Sequence, residues 1–382
     1  MEVRYVVEER YDLGRLVTFI PNKSLPRHRW FFFKEGFSRD FVGLMLSRFG
    51  AGRGDTVLDP FVGVGTTCLT CRELGLDSVG VDVSPLFTMV ARVKVRDYYV
   101  DKLRGLRDGL REERFRRPGI EHVKGFLRQL FSRYALEDLI FLRELINAKI
   151  QDEEYREFFL LALMKAAEET SYIYRDGAVV KVRRDIPKPP SLRRMFFRIV
   201  KKMIKDVEDH PLKPCEAVII QGDARRLDMI EDESIDYIIT SPPYLNKIEY
   251  TKVYWPEYEL FFPGGKEAPM RSYLGLNPRN IPKDPLPDVE LPPVARAYFH
   301  DLNDALAEMY RVLRRGGRAA VVIGGGVFPD KVVEVDIPCA YLAELNGFEV
   351  DRIIAVNKRV ATTRRVIKIG ETRESIVLLS KG

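Results

Sequence analysis

The sequence predicts an α/β fold, a parallel sheet interrupted by a helical insertion. Three observations carry that expectation. A short apolar strand, Thr56-Val57-Leu58-Asp59, runs into a glycine-rich turn, a helix-prone stretch and a second strand, Ser78-Val79-Gly80-Val81-Asp82, that ends in an acid. Strand–helix alternation of the same kind resumes after residue 215. Between the two lie more than a hundred residues whose apolar spacing is helical.

Residues 1–36 form an N-terminal segment carrying the aromatic-basic run Arg27-His28-Arg29-Trp30-Phe31-Phe32-Phe33-Lys34. Phe37, Phe41, Leu44, Met45 and Phe49 then recur at helical spacing. Ser38 is available as N-cap, and Gly50 and Gly52 stop the helix. The first part of the core is expected over 37–96. From 97 to 214 helices are expected near 121–149, 152–170 and 191–209, separated by a strand-like 177–182 and the proline-rich 186–190. The second part of the core, 215–382, reads as strands at 217–220, 237–240 and 319–323, a helix at about 296–314, and a C-terminal strand pair over 348–356 and 364–379.

Composition narrows the class. Hydrophobic residues make up 46% of the chain and charged residues 31%, so a real core can form and global disorder is excluded. The net charge of +6 is too mild for a histone-like tail but suits partial contact with phosphates. No apolar run reaches the ~20 residues that span a bilayer, and the charged start argues against a signal peptide. A soluble, cytoplasmic protein with no membrane partner is expected. Cys68 and Cys71 form a CxxC, but the four histidines are scattered and no second ligand pair exists, so no metal is expected. Glutamine occurs three times among abundant Arg, Lys and Glu, a thermophile-like balance.

Two constellations carry chemistry. The first is Asp59-Pro60-Phe61-Val62-Gly63-Val64-Gly65-Thr66-Thr67. Gly63 and Gly65 let the backbone turn sharply toward a ligand, and the helix behind them offers unpaired N–H groups. Asp82, about 20 residues on at a strand end, is placed to hold both hydroxyls of a ribose. A third phosphate-loop glycine and a following lysine are missing, which disfavours a dinucleotide or a nucleoside triphosphate. A nucleoside with a small polar tail, S-adenosylmethionine (SAM), fits. The second constellation is Thr240-Ser241-Pro242-Pro243-Tyr244, directly after an apolar strand. Two prolines forbid continuation of helix or sheet. A hydroxyl (Ser241), an outward carbonyl (Pro242) and an aromatic face (Tyr244) then make a cradle for a planar, amino-bearing base.

These motifs resemble those of the exocyclic-amino nucleic-acid methyltransferases. DPFVGVGTT is similar to their SAM loop, VGVDVSP to their ribose-binding strand end, and TSPPY to their catalytic motif. IIQGDARRL is similar to the segment in which Asp223, followed by Ala224, meets the adenine amino group. The helix at 37–49 is similar to a segment closing over the methionine end. The resemblance covers roughly 37–96 and 215–380. It implies a seven-stranded Rossmann-like SAM methyltransferase sheet with a helical insertion. Ser241, Pro242, Pro243 and Tyr244 are implied as catalytic residues, and Asp59, Phe61, Gly63, Gly65, Thr66, Thr67, Asp82, Asp223 and Ala224 as cofactor residues. Within that family SPPY is typical of cytosine-N4 enzymes, which add one methyl or two in turn.

The insertion carries the substrate signal. Residues 172–205 hold eleven Lys or Arg against two acids, a local net charge of +9. Arg175, Lys181, Arg183, Arg184, Lys188, Arg193 and Arg194 are therefore expected to meet nucleic-acid phosphates. The resemblance extends to archaeal rRNA cytidine enzymes, and with the thermophile-like composition it places RNA ahead of DNA as substrate. A site-specific DNA enzyme, using the insertion and the loop 245–295 to find its target, is the alternative. A SAM-binding regulator without catalysis would need a damaged motif, and SPPY is intact.

Overall fold

The structure is a computed structural model that describes residues 5–176, 179–185, 187, 189–245, 250–262, 286, 291–363 and 367–382. The first core stretch holds β1 (Val7–Glu9), α1 (Arg39–Phe49), β2 (Thr56–Asp59), α2 (Thr66–Leu74), β3 (Asp77–Asp82) and α3 (Pro85–Val95). There follow α4 (Val100–Glu112), α5 (Gly125–Gln129), α6 (Arg133–Lys149), α7 (Glu153–Glu169), the hairpin β4 (Ile173–Asp176) and β5 (Val179–Val182), and α8 (Leu192–Asp209). The chain then returns through β6 (Ala217–Gln221), β7 (Ile235–Thr240), α9 (Tyr250–Val253), α10 (Trp255–Phe261) and α11 (Pro293–Val312). It closes with β8 (Leu313–Gly324), β9 (Gly326–Val327), β10 (Val332–Val333), α12 (Asp336–Leu345), β11 (Glu349–Thr363) and β12 (Ile367–Ser380).

The main sheet has the order β1-β11-β12-β8-β7-β2-β3-β6. Strands β8, β7, β2, β3 and β6 are mutually parallel, and β12 runs antiparallel to both β8 and β11. This is a Rossmann-like α/β sheet. Seven strands were expected; the eighth is β1, whose Val7 and Glu9 pair in parallel with Ile353 and Ala355 on the outer edge. Three residues of mixed polarity give no strand period to read, so only the partner makes them a strand. From β2 the chain builds outward through β3 to β6, then returns to the other side of β2 at β7. The sheet's switch point thus lies between β2 and β7, where a crevice opens at the strand ends.

Local chemistry sets the helices that frame this crevice. Ser38 caps α1, its Oγ accepting from the Phe41 N–H at 3.1 Å, and Gly50 ends that helix at φ 77°. Ser84 caps α3 in the same way from Phe87, with Pro85 at the first helical position. Gly65, at φ 82°, turns the chain from the β2 loop into α2. Between β3 and β6, α4–α8 pack around Phe158, Phe159 and Phe196, all fully buried. Sequence spacing missed α4, a strongly charged helix that buries only Leu103 and Leu110, and it missed β4.

The N-terminal segment is part of this packing. Phe19, Trp30, Phe31 and Phe33 share one apolar cluster with α7 and α8. Trp30 Nε1 donates to Asp206 of α8 at 2.8 Å, and Arg27 donates to the Lys94 and Arg96 carbonyls at the end of α3. Arg92 and Arg96 in turn bond Glu157 of α7 at 2.9 and 2.6 Å. No helix among the described residues is long and apolar enough to cross a membrane.

Gly65 is a test of this packing. A Cβ there would sit 2.9 Å from both Cα and Cβ of Ala91 in α3, at a positive φ. Gly65→Ala should cost about 1–3 kcal/mol through overpacking and backbone strain, read as a lower urea midpoint. An unchanged midpoint would show that α2 and α3 are not in close contact.

Candidate active site

Asp59 organises the crevice from below. It is 2% exposed, and its carboxylate accepts from Phe61 N–H at 3.1 Å, Thr67 Oγ1 at 2.7 Å and Thr240 Oγ1 at 2.6 Å. One buried side chain therefore joins the end of β2, the first turn of α2 and the end of β7. That fixes the glycine loop relative to Ser241, the next residue after Thr240. Burial pushes the Asp59 carboxyl up to about 6 despite these donors.

Above it lies a cavity of about 250 Å³ that brings both sequence motifs together. On one side are Phe61, Gly63, Asp82, Asp223 and Ala224; on the other are Ser241, Pro242, Pro243 and Tyr244. Half-buried Asp82 accepts from the Gly63 N–H at 3.0 Å and the Ser84 N–H at 2.9 Å, and burial pushes its carboxyl up to about 6. Gly63 takes φ 49°, a left-handed conformation that favours glycine, with the Phe33 ring beside it. Asp223 is bound by Arg225, which reaches on to Asp301 at 2.6 Å. Burial works against the charge on Asp223, but that guanidinium holds its carboxyl below the usual range.

On the SPPY side, Tyr244 Oη donates to Glu374 Oε1 at 2.7 Å, and Asn357 Nδ2 donates to Glu374 Oε2 at 2.7 Å. The C-terminal strand pair thus anchors the motif's tyrosine. The N-terminal segment adds Val17, Thr18, Phe33, Lys34 and Glu35 to the cavity wall. Phe33 packs edge-on to Phe87 with centroids 5.0 Å apart. Glu35 has its Oε2 buried with no hydrogen-bond partner among the described residues, and burial pushes its carboxyl up. Tyr258 of α10 closes in from another direction, its hydroxyl 2.6 Å from Ser84 Oγ.

Several expected site residues stand elsewhere. Asp59, Gly65, Thr66 and Thr67 do not line the cavity. Thr67 donates to Asp59, which also accepts from Phe61 and Thr240, and Gly65 packs closely against Ala91. Arg175 is not a surface cation. Its guanidinium is tied to Glu168 at 3.0 Å and to Glu257, and it lies 5.2 Å from the Tyr254 ring centroid. Arg193 is half-buried, donating to the Glu113 carbonyl at 2.8 Å. Lys181, Arg183, Arg184 and Arg194 are exposed. Lys188 lies outside the described residues, as does most of the loop 245–295. Sequence reasoning missed Lys34, Glu35, Arg225, Asp301, Arg359 and Glu374, all of which line the cavity. Arg225 stood inside a motif and Lys34 at the end of the aromatic-basic run; the others reach the site through tertiary packing that no local spacing signals.

A family profile described as DNA methylase matches residues 42–91. The chain is 29% identical over 310 residues to the Type II methyltransferase M.BsoBI of Geobacillus stearothermophilus, covering 70% of this chain and 58% of that one. It is 22% identical over 400 residues to the Type II methyltransferase M.AvaI of Nostoc sp., covering 90% and 83%. To the Type II methyltransferase M.MjaII of Methanocaldococcus jannaschii it is 23% identical over 369 residues, covering 71% and 67%. These matches support an exocyclic-amino, SAM-dependent methyltransferase family for the chain. It spans 58% of the length of the Geobacillus relative. These matches do not support the RNA preference drawn from composition and archaeal resemblance; the DNA alternative fits them better.

The Asp59 carboxyl titrates above its ordinary 3.8, so the folded chain binds more protons than the unfolded one between pH 4 and 6. Its contribution to stability is greatest below pH 4 and is lost as pH rises through 6. The stability of the wild type relative to Asp59→Asn should fall by roughly 2–3 kcal/mol from pH 4 to 7, measured by urea unfolding at each pH. Parallel curves for the two proteins would remove the buried carboxylate from this role.

Proposed function

We propose that this protein methylates the N4 amino group of cytosine in DNA, with SAM as methyl donor. The observation that supports this most is the shared cavity. Ser241-Pro242-Pro243-Tyr244 and Asp82 line one space at the sheet's switch point, held in register by Asp59. The residues present fit the donor. Asp82 can accept from ribose hydroxyls, Gly63 leaves the loop without a side chain, and Glu35 Oε2, without a hydrogen-bond partner among the described residues, would gain one in an ammonium. Asp223 becomes available to an adenine amino group if Arg225 keeps Asp301 as its other partner. When bound, SAM supplies a methyl group activated by its sulfonium.

The chain's own residues do the rest. The cytosine amine is a poor nucleophile because its lone pair is conjugated with the ring. Ser241 Oγ and the Pro242 carbonyl each accept one amino hydrogen, which raises electron density on nitrogen and aims its lone pair. Tyr244, its hydroxyl fixed by Glu374, stacks on the ring. Rigid prolines mean that little reorganisation accompanies the reaction. No nucleophilic cysteine is involved: Cys68, Cys71 and Cys339 are buried, and Cys215 lies beside Arg72 before β6. The DNA reading draws on the family profile's description and on the Type II relatives. Exposed Lys181, Arg183, Arg184 and Arg194 offer a surface for backbone phosphates.

Tritiated methyl transfer into DNA and, separately, into total RNA tests the substrate, with nucleoside mass spectrometry of the product. N4-methylcytosine in DNA is expected; N6-methyladenine or 5-methylcytosine would overturn the cytosine-N4 assignment, and label confined to RNA would overturn the DNA one. Ser241→Ala should lower kcat more than it raises KM. Tyr244→Ala should lose stacking of about 1–3 kcal/mol and impair both.

Asp82→Ala separates cofactor from substrate. It should abolish SAM binding in calorimetry while the protein still melts cooperatively. Wild-type affinity in that variant would take the ribose away from the end of β3.

A further inference from the structure

Five carboxylates line the cavity against three cations. That balance suits a cationic cofactor but opposes the entry of a nucleotide that carries phosphates. Of the three cations, Arg225 is bound between Asp223 and Asp301. The other two, Lys34 and Arg359, are exposed and make no hydrogen bond or ion pair to any described residue. They come from opposite ends of the chain. Lys34 follows Phe33, which packs beside Gly63 on the cofactor side. Arg359 stands two residues beyond Asn357 on β11, in an unbroken register with β12. Residues two apart share one face of a strand, so Arg359 shares the face of the residue that anchors Glu374 and, through it, Tyr244.

We propose that Lys34 and Arg359 are a phosphate clamp: one from each wall, they hold the sugar-phosphate backbone beside the nucleotide whose base enters the cavity. The inference rests on the proposed nucleic-acid substrate. A base taken out of a duplex brings its own phosphates to the rim while its ring goes inside. At that rim an otherwise acidic cavity would repel them. Two cations with no ion pair among the described residues bind phosphate without breaking one there. The planar guanidinium of Arg359 suits two phosphate oxygens, whereas the Lys34 ammonium acts as a point charge.

The test uses unmethylated genomic DNA from a methylation-deficient bacterium and tritiated SAM, with KM for DNA measured at several salt concentrations. Each phosphate contact contributes about 0.9 to the slope of log affinity against log salt. Between 50 and 200 mM salt, Lys34→Gln and Arg359→Gln should each therefore lose about threefold less affinity than the wild type. The double variant should show both effects, Arg359→Lys should restore much of the slope, and SAM affinity by calorimetry should stay unchanged. Both side chains are exposed, so circular dichroism melts should match the wild type. Unchanged salt slopes in both single variants would overturn the clamp, as would a loss of SAM affinity, which would make these residues cofactor ligands. Failure of the wild type to methylate any DNA or RNA is a different result. It would overturn the substrate reading itself, whatever the variants do.

Discussion

A single buried carboxylate makes this site one object. Asp59 lies where β2 ends, and its oxygens are taken up by Phe61 N–H, Thr67 and Thr240. The glycine loop, the start of α2 and the end of β7 would otherwise be three independent pieces of backbone. Burying that carboxylate costs solvation, seen in its raised pKa, and the three donors offset only part of the cost. Those three donors set the distance between the glycine loop and the SPPY motif. Asp59 does not line the cavity, yet it fixes how the loop and the motif face it.

The second constraint is the wall around the cavity. Much of it comes from outside the two motifs: Phe33, Lys34 and Glu35 from the N-terminal segment, and Arg359 and Glu374 from the C-terminal strand pair. The N-terminal segment is itself held by Trp30 and Arg29 against Asp206, and by Arg27 against the end of α3. Its place over the cavity thus depends on the insertion helices. The insertion has a structural duty, supporting this wall, alongside any contact with substrate. Arg175 illustrates the division: read along the sequence it belongs to a basic run, yet it spends its charge on Glu168 and Glu257.

The sequence by itself determined the sheet's parallel core, the glycine loop, the acid ending β3 and the SPPY turn. These are legible because each is local: strand period, positive-φ glycine, N-cap serine and proline all act within a few residues. The same locality made Ser38 and Gly50 readable as helix boundaries. Tertiary structure alone decided which loop residues face the cavity and which face the core. Gly65 and Gly63 are indistinguishable in a motif, but one packs on Ala91 and the other lines the cavity. It also decided the eighth strand, since β1 has no apolar alternation and exists through pairing with β11. Glu35, Arg359 and Glu374 were invisible for a related reason. Folding alone brings them to the cavity wall, and a place set by distant packing leaves no local spacing behind.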